Sequence, residues 1–450
     1  MRLVLAIGLL AAPLYAAVFD VKAYGAKGDG TSLDTAAIQK AIDAAAKAHG
    51  IVSVTPGKYR SGALFLKSGI EFRVEKGATI LGSQDIAQYP MMPTRVAGIE
   101  MTWPAALINV YEQSGVKLSG EGTVDGDGKP FWDLYWKMRR EDYEPKGIRW
   151  AADYDCRRPR LIVIYKSRGV TVQGLHLERP GFWTVQLCYS DGVTVDGLTI
   201  RNNTEARGPS TDGIDIDSSR NVTVTHCSIE CNDDAICLKA GRDADGLRVN
   251  RPSERVVIRD NAVRAGAAGV TFGSETSGGI RDVRVSGIRV LAGVPNGILF
   301  KSASTRGGTI ENIDIRGMTL ERVATVISIA FNWNPSYSYA KMPENVANPP
   351  RYWRVLTEPV PPEKGLPHLR CVRIAGIRAE GARQAFSVVT YPESPLENFE
   401  FRDLDIEAAT AGEIDNALNW TFAGVRIHTA DGSRVVLKNS RGVNGLSPAP

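Results

Sequence analysis

The sequence predicts an all-β protein, a right-handed parallel β-helix of one continuous chain with a short helix capping its N-terminal end. A short strand pattern with period-two alternation recurs along most of the chain. The copies follow one another at uneven steps of roughly 23 to 34 residues, within the range of solenoid repeats. No amphipathic helix separates the copies, which argues against units of alternating strand and helix.

The recurring unit is an alternating strand, a small break and a second apolar pair. Clear copies are Gly169–Leu177, Gly192–Ile200 and Asn221–Ile229. Stacked coils, with length differences extruded as surface loops, explain both the constant strands and the variable step. A β-sandwich or a β-propeller is the alternative, and the uneven spacing favours the β-helix. Equivalent positions in six successive copies are Val170, Val193, Val222, Val256, Val283 and Ile313.

The N-terminal end differs from the repeats, as a capping unit should. A turn-rich stretch at 19–30 precedes a helical pattern over 34–48. We expect Thr31 or Ser32 to be the N-cap of this helix and Gly50 to end it. This helix is predicted to close the end of the solenoid core. Its apolar face consists of Ile38, Ala41, Ile42 and Ala45.

Residues 1–17 are predicted to be a signal peptide, and 18–450 the β-helix domain. Arg2 supplies a positive charge, and an apolar run up to Leu14 leads to a small residue at Ala16. The run is too short to span a bilayer, and a buried N-terminal strand is the alternative. The pattern predicts a secreted or periplasmic protein that does not bind a membrane.

Charge and cysteine content exclude some classes of function. A formal charge of +4 in 450 residues is too small to indicate nucleic-acid binding. We expect the protein to be a monomer. Six cysteines, an even number, fit an oxidising compartment. Cys227 and Cys231 have the spacing of one ligand pair of a metal site, but no second Cys or His pair completes the site. The sequence leaves open whether the cysteines are buried thiols or form one or two disulfides.

Two aromatic-rich segments interrupt the repeat, near 125–158 and 332–367. We expect most of these aromatic side chains to pack the segments onto the solenoid, because large aromatic residues are usually buried. One or two are expected to line a cleft.

Four successive coils place polar residues at equivalent positions. The segment 212–217 aligns with 234–239, then with 268–273 and 296–301. Alternate residues of a strand point to opposite faces, so the apolar members are predicted to face inward and the others outward. The outward residues form two columns, one of Asp215, Cys237, Thr271 and Leu299 and one of Asp217, Lys239, Gly273 and Lys301.

The same alignment predicts a cluster of three acids. Asp212 and Asp234 take the same place in neighbouring coils, about 4.8 Å apart, and Asp233 is adjacent. Like charges this close raise at least one pKa. A protonated acid can protonate a leaving oxygen while an ionised neighbour activates water, which is the pair of groups that a glycosidase uses. Turn-capping aspartates and a calcium site are the alternatives.

Several motifs resemble those of one enzyme family. Val21–Gly30 is similar to the N-terminal motif of the pectate-lyase-like superfamily. Ser210–Asp215 and Asn232–Lys239 resemble the Asn-Thr-Asp and Gly-Asp-Asp motifs of glycoside hydrolase family 28, the polygalacturonase family. Gly273–Gly279 resembles a stretch of its exo-acting and bacterial members. The resemblance implies a parallel β-helix that hydrolyses α-linked galacturonosyl bonds of pectic polysaccharide with inversion, without metal or other cofactor.

The resemblance also implies roles for individual residues. Asp233 would be the general acid, while Asp212 and Asp234 would hold and activate the water. Lys301 matches the lysine of the family's Arg-Ile-Lys motif and would contact a substrate carboxylate. Two residues in the other matching stretches are also predicted to contact the substrate. These are Lys239 and Glu275.

Two positions depart from the family pattern. The family's histidine falls on Ala268, and the arginine of Arg-Ile-Lys falls on Leu299. Loss of that arginine removes a planar clamp for a galacturonate carboxylate, which favours a rhamnogalacturonan-type substrate. A calcium-dependent lyase with Lys239 or Lys301 as base, and a non-catalytic pectin-binding solenoid, are the alternatives.

Overall fold

The computed structural model describes residues 16–446, over which the chain folds as a right-handed parallel β-helix. Each regular coil adds one strand to a sheet of 14 strands, called here the long sheet, and further strands to a sheet of 23. The predicted fold class is therefore confirmed. Most of the predicted signal peptide, residues 1–15, lies outside the described residues.

The long sheet runs the whole length of the solenoid. All of its neighbouring strands are parallel. Its strands are Val18–Asp20, Ile51–Val54, Glu71–Val74, Lys117–Gly120, Arg168–Gln173, Asp191–Asp196, Arg220–Thr225, Ser253–Arg259, Ile280–Ser286, Thr309–Arg316, His368–Ala375, Leu396–Arg402, Ala417–Leu418 and Thr421–Ala423.

The 23-stranded sheet consists of two parallel ladders that join at the long strands Arg378–Val389 and Asp405–Asp415. The corner ladder contains Asp29–Leu33, Gly57–Ser61, Ala78–Gly82, Thr123–Asp125, His176–Glu178, Thr199–Arg201, Ser228–Glu230, Ala262–Ala265, Arg289–Val290, Thr319–Glu321 and Arg426–Thr429. The site ladder contains Leu64–Phe65, Ile108–Tyr111, Ile162–Tyr165, Val185–Cys188, Ile214–Asp217, Ile236–Lys239, Ala268–Phe272, Asn296–Lys301, Thr325–Ala330 and Val436–Lys438.

The register of the coils follows the repeat seen in the sequence. The six equivalent positions from Val170 to Ile313 are direct partners on neighbouring strands of the long sheet. All six side chains are buried, so they form one continuous row of the core. Burial of each such side chain contributes about 1.5–3 kcal/mol, so the row stabilises the coil register.

The N-terminal helix Thr35–Ala48 packs on the end of the core, and its four predicted apolar residues are fully buried. Its predicted caps were wrong. Thr31 and Ser32 lie in the strand Asp29–Leu33 and bond to Asp29. Asp34 is at the N-cap but accepts hydrogen bonds from loop amides. His49, in left-handed conformation, ends the helix one residue before Gly50.

The two aromatic-rich segments hold most of the other helices. An antiparallel hairpin, Met91–Val96 with Ile99–Pro104, lies beside them. The remaining helices and helical turns are Val21–Tyr24, Ile86–Gln88, Lys129–Met138, Arg139–Tyr143, Arg149–Ala151, Ala152–Asp155, Asp243–Val249, Pro335–Ser338, Arg351–Leu356 and Pro362–Gly365. Among residues 16–446, none of the helices has the length and apolar character needed to cross a bilayer.

The two segments are joined by contacts around one acid. Tyr352 and Trp353 donate hydrogen bonds to the Asp155 carboxylate at 2.6 and 3.0 Å. Trp353 also packs edge-on against Trp150, with ring centroids 5.2 Å apart. These contacts hold the two segments together, and most of the aromatic side chains in the segments are buried, as predicted.

All six cysteines lie in the described range and are free thiols. Five are buried, and Cys371 is exposed. Of the two alternatives left by the sequence, the structure therefore has buried thiols.

Candidate active site

The acid cluster is built by two neighbouring coils. Asp212 and Asp234 precede the paired strands Ile214–Asp217 and Ile236–Lys239, and the Gly213 amide donates to the Asp234 carbonyl at 2.8 Å. The nearest carboxylate oxygens of the two residues and of Asp233 all lie within 4.8 Å of one another. The structure thus brings together the three acids that the sequence alignment placed side by side.

Two buried lysines hold these acids. Lys301 Nζ lies 2.8 and 3.0 Å from the two carboxylate oxygens of Asp234. Lys239 Nζ lies 3.4–3.5 Å from four carboxylates. Those four carboxylates belong to Asp212, Asp215, Asp234 and Glu275. Both ammonium groups are therefore already committed to carboxylates of the protein.

Burial and unequal access to the lysines separate the pKa values of the acids. Burial, and then the charge of Asp234, raise the pKa of Asp233 to about 6. Asp234 is also buried, but the Lys301 and Lys239 charges outweigh burial and lower its pKa. Burial, with the Asp215 and Asp233 charges, raises the pKa of Asp212. The cluster therefore contains one acid that stays ionised beside acids that retain a proton.

Two more carboxyl groups lie beside Lys239. Asp215 is fully buried, and burial raises its pKa to about 8. Glu275 is kept ionised, because the Lys239 and Arg306 charges overcome burial and lower its pKa to about 2. The sequence put Asp215 in the outward column without assigning it a role. Its position between Asp212 and Asp217 was the available signal.

The acids open into a pocket of about 60 Å³. Asp212, Asp233 and all three predicted substrate contacts line it, while Asp234 lies beneath and is 1% exposed. The other lining residues are Ala97, Arg149, Asp153, Phe182, Trp183, Ser210, Ser274, Trp333 and Tyr337. As expected, two aromatic residues of the aromatic-rich segments, Trp333 and Tyr337, line the site.

Sequence reasoning missed several of these lining residues. Trp183 takes the place of Asp212 in the preceding coil, because Val185 pairs with Ile214, so extending the coil alignment by one copy would have found it. Arg149 and Asp153 lie in a segment without the repeat, where no sequence signal pointed to the pocket.

A larger concavity of about 620 Å³ lies on the outer face of the long sheet. Its lining includes Arg255, Arg284 and Arg373 but none of the predicted site residues. The small pocket is the better candidate site, because it holds the acids with shifted pKa values.

The acid cluster also has a spacing that suits a cation. Asp234, however, accepts hydrogen bonds from Lys301 and from Thr271, and Lys239 lies beside Asp212. Calcium takes six to eight oxygen ligands, more than this cluster leaves free. The expectation of a metal-free site stays a prediction, which chelation can test.

The model of glycosyl hydrolases family 28 matches residues 66–347, the coils that carry the acids. The chain belongs to this family. Residues 18–83 also match the model of rhamnogalacturonase A/epimerase, pectate lyase-like proteins. The family resemblance drawn from the motifs is thereby confirmed.

Proteins named for the hydrolysis of galacturonan are among the similar proteins. A probable polygalacturonase of Vitis vinifera is 31% identical over 66% of this chain and 60% of its own length. An exo-poly-alpha-D-galacturonosidase of Dickeya chrysanthemi is 28% identical over 72% of this chain and 60% of its own length. The match thus spans about 60% of each of these two relatives.

Solved structures share the fold. A hyperthermoactive exopolygalacturonase from Thermotoga maritima superposes with a TM-score of 0.73 at 24% identity, covering 95% of this chain and 92% of its own. A polygalacturonase from Erwinia carotovora ssp. carotovora gives a TM-score of 0.67 at 20% identity, covering 97% and 99%.

Proposed function

We propose that the protein hydrolyses α-linked galacturonosyl bonds of pectic polysaccharide by acid–base catalysis with inversion. The observation that carries this proposal is a pair of adjacent acids whose pKa values are shifted in opposite directions. The pKa of Asp233 is raised to about 6, and that of Asp234 is lowered below its ordinary value. The relatives named polygalacturonase support galacturonan as the substrate.

In the proposed reaction, protonated Asp233 gives its proton to the glycosidic oxygen as the bond from that oxygen to C1 breaks. Asp234, kept ionised by Lys301, takes a proton from the water whose oxygen bonds to C1. The buried Oδ1 of Asp212 has no hydrogen-bond partner among the described residues and is available to orient that water. Asp234 then releases its proton to solvent and Asp233 takes one up, which restores both acids.

We also propose that attack takes place at chain ends. The pocket is far smaller than the roughly 300–1,000 Å³ of sites that enclose a drug-sized ligand. The hairpin and both insertions contribute to its walls, through Ala97, Arg149 and Tyr337. A small pocket with walls from three parts of the chain favours entry of a chain end over binding of a chain that continues in both directions.

Product analysis tests the reaction class and the mode of attack. With homogalacturonan, we expect free galacturonate from the first minutes, a slow fall in viscosity and no unsaturated product absorbing in the ultraviolet. EDTA should leave the rate unchanged. Rhamnogalacturonan, assayed in parallel, decides the alternative substrate that Leu299 suggested. An unsaturated product lost on chelation would select the lyase instead, and binding without product would select the non-catalytic solenoid.

The anomeric configuration of the first product tests inversion. The nearest oxygens of the three acids lie within 4.8 Å, a closer arrangement than the roughly 6.5–9.5 Å between the carboxyl groups of most inverting glycosidases. Proton NMR of the nascent reducing end, read before mutarotation, gives the answer. Retained configuration would require one of the acids to act as a nucleophile.

The rate should depend on pH through Asp233. Its acid form is needed and its pKa is about 6, so kcat/KM is expected to fall about tenfold per pH unit above that value. The lowered pKa of Asp234 places the acid limb below about pH 4. A rate profile from about pH 3 to 8, with circular dichroism to verify folding, checks this. An optimum above about pH 8 would contradict the assignment.

A secreted or periplasmic location is part of the proposal. It is supported by the charged, then apolar, then small-residue pattern of the first 17 residues and by a pectic substrate, which lies outside the cell.

A further inference from the structure

The site lacks a cation where the family resemblance places an arginine. Leu299 is at that position, 5% exposed, and it is not among the residues that line the pocket. Its neighbour on the adjacent strand is Thr271, which bonds to Asp234. A galacturonate carboxylate therefore needs another partner than residue 299.

Arg149 lies in the first aromatic-rich segment, near 125–158, and lines the same pocket. It begins the helical turn Arg149–Ala151, and the next residue, Trp150, is buried against Trp353. Arg149 Nη1 donates to Asp153 Oδ2 at 2.8 Å, and the guanidinium lies 5.4 Å from the centre of the Tyr337 ring. The turn and the side chain are therefore held in place before any substrate arrives.

One edge of this guanidinium is free. Arg149 Nε is buried without a hydrogen-bond partner, and Nη2 has none among residues 16–446. Nε and Nη2 together form the planar fork that suits a carboxylate. Arg179 uses the same edge for the two oxygens of Asp125, so the chain itself provides an example.

The other cations of the pocket are committed to the acids. Lys301 binds Asp234, and Lys239 lies among four carboxylates. An unpaired buried donor costs free energy, which a ligand oxygen would recover. Resting on the function proposed above, we propose that Arg149 binds the carboxylate of the galacturonate unit that enters the pocket.

Binding of two monosaccharides tests this assignment. Calorimetric titration with galacturonate and with galactose isolates the carboxylate, the one chemical difference between them. The wild-type protein should prefer galacturonate. Arg149→Met should weaken galacturonate binding about 10- to 100-fold and change galactose binding less than about twofold. Arg149→Lys keeps the charge without the fork and should fall in between.

The control is Arg139→Met, which removes the same charge from the same insertion. Arg139 pairs with Glu144 outside the pocket, so both sugars should bind as in wild type. Asp153 keeps Arg158 at 3.1 Å when Arg149 is replaced, and thermal melting verifies the fold. Equal losses for both sugars, wild-type affinity in Arg149→Met, or no preference in the wild type would overturn the assignment.

Turnover of homogalacturonan is measured separately. Its absence in the wild-type protein would overturn the proposed function, while the binding titrations would still decide the role of Arg149.

Discussion

Replacing Asp233 by asparagine is expected to lower kcat on homogalacturonan by about 10²–10⁴-fold while the fold stays intact. The amide has nearly the same shape but cannot give up a proton to the leaving oxygen. Asp233 lies at the mouth of the pocket, half-buried, and its Oδ1 accepts from the Asp234 amide at 3.0 Å. Asparagine can keep that hydrogen bond through its own carbonyl oxygen.

Asp282→Asn is a matched control for this change. Asp282 lies on the long sheet in left-handed conformation, and Asn312 has the same conformation at the same place in the next coil. Asparagine therefore fits there without strain, and kcat should not change. Rates are compared with melting temperatures for both variants. Near-normal turnover in Asp233→Asn would contradict the assignment of the general acid.

The fold could be predicted from the sequence because every coil repeats the same local rule. Val170 and its equivalents alternate with polar residues at a period of two, and that alternation fixes which side chains face the core. The stacking of Asp212 on Asp234 follows directly from this register.

The walls of the site could not be predicted in the same way. Arg149 and Tyr337 reach the pocket because the Trp150–Trp353 and Asp155 contacts fix two irregular segments against each other. Those contacts join residues some 200 positions apart and follow no repeat. Local patterns contain no information on such pairing.

The prediction of the helix cap was wrong for a related reason. Thr31 and Ser32 have suitable side chains, but their segment forms a strand that pairs with Gly57–Ser61. Asp34 then bonds to the amides of Lys27 and Gly28. Tertiary pairing outweighed local capping propensity here.

Replacing Lys301 by methionine is expected to damage both stability and catalysis. The change leaves Asp234 buried with Lys239 as its remaining cation, 3.5 Å away. Removing one partner of a buried ion pair costs about 3–5 kcal/mol of unfolding free energy. The pKa of Asp234 should rise toward protonation, because the larger of the two lysine charges that lower it is gone, and kcat should fall by about 10² or more.

The loss of stability should depend on pH with a definite sign. In the wild type the folded-state pKa of Asp234 is lowered, so the pair contributes stability above the unfolded value near 4 and loses it as pH falls through the folded value. The difference in unfolding free energy between wild type and Lys301→Met should therefore shrink as pH falls below about 4. Denaturant titrations across that range measure it.

Two comparisons separate charge from packing. Lys301 Nζ lies 4.3 Å from the centre of the Trp333 ring, and the exposed Lys166 lies in the same way over Tyr165 at 5.1 Å. Lys166→Met should therefore cost less than about 1 kcal/mol. Adding Asp234→Asn to Lys301→Met removes the acid that has lost its closest cation and should restore part of the lost stability, though not activity. A double variant no more stable than Lys301→Met would mean that methionine packing, rather than an uncompensated carboxyl group, causes the loss.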